Sequence, residues 1–110
     1  MNSMNSAIVI IEGKVFSKGK IEEIKGSKRL EVCLETSGTL KKEDGSIQLL
    51  KEHFTVELRG KMAEVFDERI KKEAEISVTG MLRQGFNGRV SILAKHIEFK
   101  RDLEEAERKI

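Results

Sequence analysis

Proline, tryptophan and tyrosine are all missing from this 110-residue chain, and cysteine occurs once. Without proline, turns fall to glycine, asparagine and serine, and the nine glycines are spaced accordingly. One cysteine, Cys33, excludes an intrachain disulfide and any cysteine-based zinc site, and fits a reducing compartment. No apolar run approaches the roughly twenty residues of a membrane-spanning helix. The opening Met1 to Ser6 lacks the charged and apolar regions of a signal peptide and reads as a disordered start. The expected location is the cytoplasm.

A dominant charge is also missing. Lys and Arg number 21 against 19 Asp and Glu, a formal +2, so any basic surface must come from local arrangement. The last third supplies one: Arg83, Arg89, Lys95, Lys100 and Arg101 lie between Gly80 and Arg101, opposed only by Glu98. Acidic residues gather along two helix-like segments instead.

The patterning that is present is mostly of strand period. Ala7 to Phe16 is β-branched and apolar, broken by Gly13, and Ile21 to Lys25 continues it as a curled ribbon. Gly26-Ser27 marks a turn. Arg29 to Thr36 then alternates, with Leu30, Val32 and Leu34 on one face. Ser37 to Lys51, with Gly38, Gly45 and the cluster Lys41-Lys42-Glu43-Asp44, reads as a long hairpin loop. His53 to Gly60 alternates Phe54, Val56 and Leu58 against His53, Thr55, Glu57 and Arg59. Lys61 to Lys72 takes helical period, with Met62, Val65, Phe66 and Ile70 as its apolar stripe. Glu75 to Gln84 returns to strand, with Ile76, Val78 and Leu82 inward around Gly80. Asn87-Gly88 signals a hairpin into a last strand, Val90 to Phe99. Arg101 to Lys109 reads as a short terminal helix.

Three strands, a helix and two strands give an all-β, five-stranded OB-fold barrel over residues 7–100. The helix lies between strands three and four, and a short C-terminal helix or tail occupies 101–110. Gly13, Gly60 and Gly80 sit where such a barrel bends or meets its helix. Phe16, Phe54, Phe66 and Phe99 fall on apolar faces and read as core.

Val56-Glu57-Leu58-Arg59-Gly60-Lys61-Met62-Ala63-Glu64 resembles the strand-to-helix segment of bacterial single-stranded DNA-binding proteins. Glu75 to Arg83 matches that family's next strand, and Val9 to Val15 and Val32 to Ser37 its first two. The resemblance covers roughly residues 7 to 99. It implies a non-catalytic binder of single-stranded DNA in replication, recombination or repair, assembled as a homotetramer or dimer. Aligned on Gly60, a stacking tryptophan of the family falls on His53 and the aromatic before the glycine on Arg59. Its first tryptophan falls near Leu40 and its last near Phe86. The family's long tail with an acidic partner-docking tip has no counterpart here.

Sequence-tolerant binding of single strands needs cations along the phosphate path and flat groups that stack on bases. Phe86 between Arg83 and Arg89 offers both at a hairpin tip, unless its ring folds back onto the barrel mouth. His53 and Arg59 present planes that also stack on bases. Arg29 is placed to line a groove from the second strand. Lys41 and Lys42 form a charged arm whose Glu43 and Asp44 neighbours equally suit a solvated loop. No nucleophile with a base, phosphate-cradling loop, cofactor or metal site is legible. An OB-fold adaptor related in shape to primosomal proteins, binding protein first and nucleic acid weakly, remains open given the few aromatics and near-neutral charge. So does an RNA-binding module, because discrimination of RNA turns on the 2′-hydroxyl.

Overall fold

The computed structural model describes residues 7–84 and 88–100. Six strands and one helix follow in order: β1 (Ile8–Lys18), β2 (Glu22–Ile24), β3 (Ser27–Lys41), β4 (Ile47–Arg59), α1 (Lys61–Arg69), β5 (Glu75–Gln84) and β6 (Val90–Phe99). The sheet runs β1-β5-β6-β4-β3-β2, and an additional β1–β3 pairing closes it. Five strands therefore form a barrel, with β2 as a short flap on β3. Every pairing is antiparallel except β4 with β6. This is the OB-fold barrel with its helix between the two halves.

Closure depends on β1 changing partners. Ile8 to Lys14 pair with β5, and Lys14 to Lys18 pair with β3. The crossing point is Lys14, and at the adjacent Gly13 an added Cβ would lie 2.6 Å from the Glu35 carbonyl oxygen. Gly80 is equally tight on the β5–β6 side, 2.4 Å from the Leu93 oxygen, beside a register shift. Both glycines let backbones approach more closely than any side chain allows.

The alternation of β3 is realised: Leu30, Val32 and Leu34 are buried with Val15, Val56, Leu58, Ile76, Val78 and Ile92. The helix starts at Gly60, whose φ of 64° turns the chain out of β4. Ala63 and the C-cap Ile70 enter the core. Phe66 stacks on Phe99 with ring centroids 6.0 Å apart, and Arg69 lies over both rings.

Several expectations are corrected. Ser37 to Lys51 is not a long loop, because β3 and β4 stay paired from Ser37↔Lys51 to Lys41↔Ile47. Only residues 42–46 turn. The Asp44 carboxylate accepts the Ser46 backbone N–H and hydroxyl, which holds its pKa below the ordinary value. Ile21 to Lys25 does not prolong β1; Glu22–Ile24 forms its own strand, joined to β3 by Lys25 and Gly26, both at positive φ as a type I′ turn requires. Helix α1 ends at Arg69 and not Lys72, and Val65 is exposed on its outer side. Leu82 is exposed because it reaches past the core to the open barrel mouth. Phe16 is not core: it follows the fully buried Val15 and projects outward at a β1 bulge, 48 % exposed. The expected terminal helix over 101–110 lies outside the described residues.

The glycine contacts give a stability test. Gly80→Ala and Gly13→Ala should each cost about 1–3 kcal/mol in denaturant unfolding, as overpacked core sites do. Gly38→Ala, where nothing lies within 4 Å of the added Cβ, should change stability by less than about 0.5 kcal/mol.

Candidate nucleic-acid interface

The outward face of β3 and β4 carries an unusual ladder. Arg29 is the direct partner of Arg59, Glu31 of Glu57, Cys33 of Thr55 and Glu35 of His53. The first two pairs set like charges opposite each other, an unfavourable arrangement in a sheet. Attraction therefore runs diagonally and along the strands. The Arg29 Nε–H donates to Glu57 Oε1 at 2.6 Å, and the Arg59 Nε and Nη2 groups donate to Glu57 Oε1 and Oε2 at 3.1 and 3.3 Å. Arg29 Nη2 lies 3.5 Å from Glu31 Oε2.

Glu57 is thereby the one buried charged residue among those described. Burial alone would raise its pKa, since desolvation disfavours the carboxylate. The hydrogen bonds from Arg59 and Arg29 and the charge of both guanidiniums outweigh burial, and the pKa lies below the ordinary value. The Arg29 pKa is raised, chiefly by the hydrogen bond to Glu57.

These residues line a cleft of about 880 Å³ on the outer face. Ile24, Ser27 and Lys28 wall one side, and Arg89, Val90 and Ser91 the other. Lys28, Arg29, Arg59 and Arg89 line it with two carboxylates, Glu31 and Glu57, while at its β2 edge Glu23 lies 3.8 Å from Lys28 and Glu22 acts on Arg29. Thr55, Val90 and Ser91 also line a second, apolar cleft of about 480 Å³ with Val9, Ile11, Phe54 and Leu82 at the barrel mouth. The cationic and apolar clefts are thus continuous.

At the edge of this region Phe16 and His53 meet, with ring centroids 4.4 Å apart and planes tilted by 50°. Glu35 holds the His53 Nε2 at 3.0 Å. The two rings are not coplanar, but each is a half-exposed ring of the kind that stacks on bases.

Of the residues singled out from sequence, Arg29, Arg59 and Arg89 line the cationic cleft and His53 the apolar one. Arg83 is exposed on β5 as the partner of Ser91, outside both linings. Lys41 and Lys42 stand at the tip of the β3–β4 hairpin, away from both clefts. Phe86 lies outside the described residues. Two contributors escape a reading of the sequence. Phe16 reads as core from its apolar neighbours, although strict alternation from Val15 turns it outward. Glu57 reads as an ordinary outer-face residue, because nothing in the sequence signals its burial beneath two arginines.

Comparison of the sequence with protein-family models and with curated proteins gives no match. Solved structures do resemble it. The Plasmodium falciparum SSB, in a complex with ssDNA, superposes with a TM-score of 0.77 at 14 % identity, over 90 % of this chain and 98 % of that one. The Thermus aquaticus single-stranded DNA binding protein gives 0.73 at 21 % identity over 86 % of this chain, which spans only 50 % of that protein's length. PriB from Ralstonia solanacearum gives 0.68 at 16 % identity, over 84 % and 95 % of the two chains. At these identities the likeness establishes the shared barrel fold.

The pH dependence of Glu57 follows from its depressed pKa. Its pairing stabilises the fold above the ordinary glutamate value of 4.5 and is lost as pH falls from there through the lower folded value. In thermal unfolding, the native chain should lose more stability than Glu57→Gln between pH 6 and about pH 3. Parallel curves would show that Glu57 contributes no such pairing.

Proposed function

We propose that this protein is a non-catalytic binder of single-stranded DNA that coats exposed strands in replication, recombination or repair. The observation that carries the reading is the continuity of the outer face: an arginine-lined cleft runs into an apolar cleft lined by His53, whose ring meets that of Phe16. Phosphates need the first and bases the second. The barrel is shared with a protein solved with ssDNA bound, which supports single-stranded DNA as the ligand.

In this reading Arg29, Arg59 and Arg89 neutralise phosphates, and Phe16 and His53 stack on bases. Arg83, Lys41 and Lys42 extend the path along the two hairpins, and Phe86, outside the described residues, is a further stacking candidate from the sequence. The mechanism is counterion release plus stacking, so affinity falls as salt rises. We place assembly at β1, whose outward Ile8 and Ile10 are 74 % and 69 % exposed. Burying that apolar pair against a second copy produces a dimer or tetramer.

The test is fluorescence anisotropy of labelled oligo-dT, about 35 nucleotides long so that more than one barrel can bind. Duplex DNA and oligo-U serve as competitors at low and moderate salt. The expected result is salt-sensitive binding that duplex does not displace. Phe16→Ala should weaken it by about 1–3 kcal/mol, the worth of one base–aromatic stack. Absence of binding at low salt, or equal competition by duplex, overturns the reading.

A further inference from the structure

The cationic cleft contains a feature that simple attraction of phosphate does not call for, a carboxylate at its floor. Arg29 and Arg59 are direct cross-strand partners, so their guanidiniums repel and, left alone, swing apart into solvent. Glu57 Oε1 accepts the Nε–H of both, at 2.6 and 3.1 Å. Its side chain is only 9 % exposed, against 33 % for Arg29 and 52 % for Arg59, so the acid lies beneath the two cations. Each guanidinium is anchored by its inner edge, and both line the cleft.

We propose that Glu57 is a positioning residue for nucleic acid: it clamps Arg29 and Arg59 side by side so that together they present one preformed phosphate-binding edge. The proposal rests on the single-strand-binding reading above. A lone buried acid would repel phosphate. Beneath two guanidiniums its charge is offset, with Glu31 a further partner of Arg29 at 3.5 Å, and part of the side-chain ordering that binding otherwise requires is already in place. Planar guanidiniums held in fixed orientation are the groups best suited to bidentate phosphate contact.

The sign of one substitution decides the matter. Glu57→Gln adds a positive charge to the cleft, so if Glu57 only repelled DNA, oligo-dT would bind more tightly and with steeper salt dependence. If Glu57 positions the arginines, binding weakens about tenfold, the loss of roughly one charge-assisted hydrogen bond. The slope of log affinity against log salt also becomes shallower by about 0.7 for each phosphate that is no longer neutralised. The arginine Nε–H resonances report the clamp without DNA. In the native protein those of Arg29 and Arg59 should be resolved and slow to exchange with water, and in Glu57→Gln they should collapse to the solvent-averaged position.

Glu57→Asp covers the possibility that Glu57→Gln fails to fold. It keeps the charge but is one methylene shorter, so it should release at least one of the two Nε–H groups and bind oligo-dT more weakly than the native chain. Tighter or unchanged binding by a folded variant, or unchanged Nε–H protection in Glu57→Gln, overturns the proposal. If the native chain itself binds no oligonucleotide, the function fails first and the positioning role with it. If the native chain binds and Glu57→Gln binds more tightly, only the positioning role fails.

Discussion

The structure depends on β1 serving two neighbours. Its first half completes the β5–β6 side of the sheet and its second half joins β3, and the switch happens within one residue, at Lys14, which pairs with both Glu75 and Glu35. Two strands can approach a third this closely only where a side chain is missing, which is the role of Gly13. Once the sheet is closed, the inward residues of all five strands share one core and the outward residues of β1, β3 and β4 share one curved face. The bulge that β1 makes as it joins β3 also sets Phe16 outward beside His53. Closure and the Phe16–His53 ring pair thus have a common origin.

Electrostatics then shapes that face without help from overall charge. A formal +2 on the chain gives no general pull on nucleic acid. Within one cleft, however, Lys28, Arg29, Arg59 and Arg89 gather around a buried Glu57. The buried carboxylate is tolerated because its oxygens are hydrogen-bonded by both arginines, which offsets desolvation. Exposed pairs, such as Lys14 with Glu73 or, at the edge of the cleft itself, Lys28 with Glu23, are worth little by comparison.

Much of the barrel is legible in the sequence, for a physical reason. Leu30, Val32 and Leu34, and Val56 and Leu58, alternate because each strand buries one face, and the change to helical spacing after Gly60 marks α1. The signal fails where no core leaves its imprint. From Ser37 to Lys51 the strands pair only with each other, so polar and glycine-rich residues mimic a loop. Leu82 keeps its apolar character at the open mouth, where it is exposed and lines the apolar cleft. The candidate face is partly visible: His53, Arg59 and Arg29 alternate outward on β4 and β3. Phe16 is hidden by its apolar neighbours, and the burial of Glu57 arises only when β3 and β4 bring two arginines to it.

The proposed path of nucleic acid crosses the outer face of β3 and β4, the Phe16 end of β1 and the start of β6. Backbone and side-chain chemical-shift mapping with a short oligo-dT tests that path most directly. Perturbations should concentrate at Phe16, Arg29, His53, Thr55, Arg59 and Arg89, with helix α1 and the outer edge of β2 undisturbed. Perturbations confined to α1, or none on the β3–β4 face at saturating oligonucleotide, would contradict it.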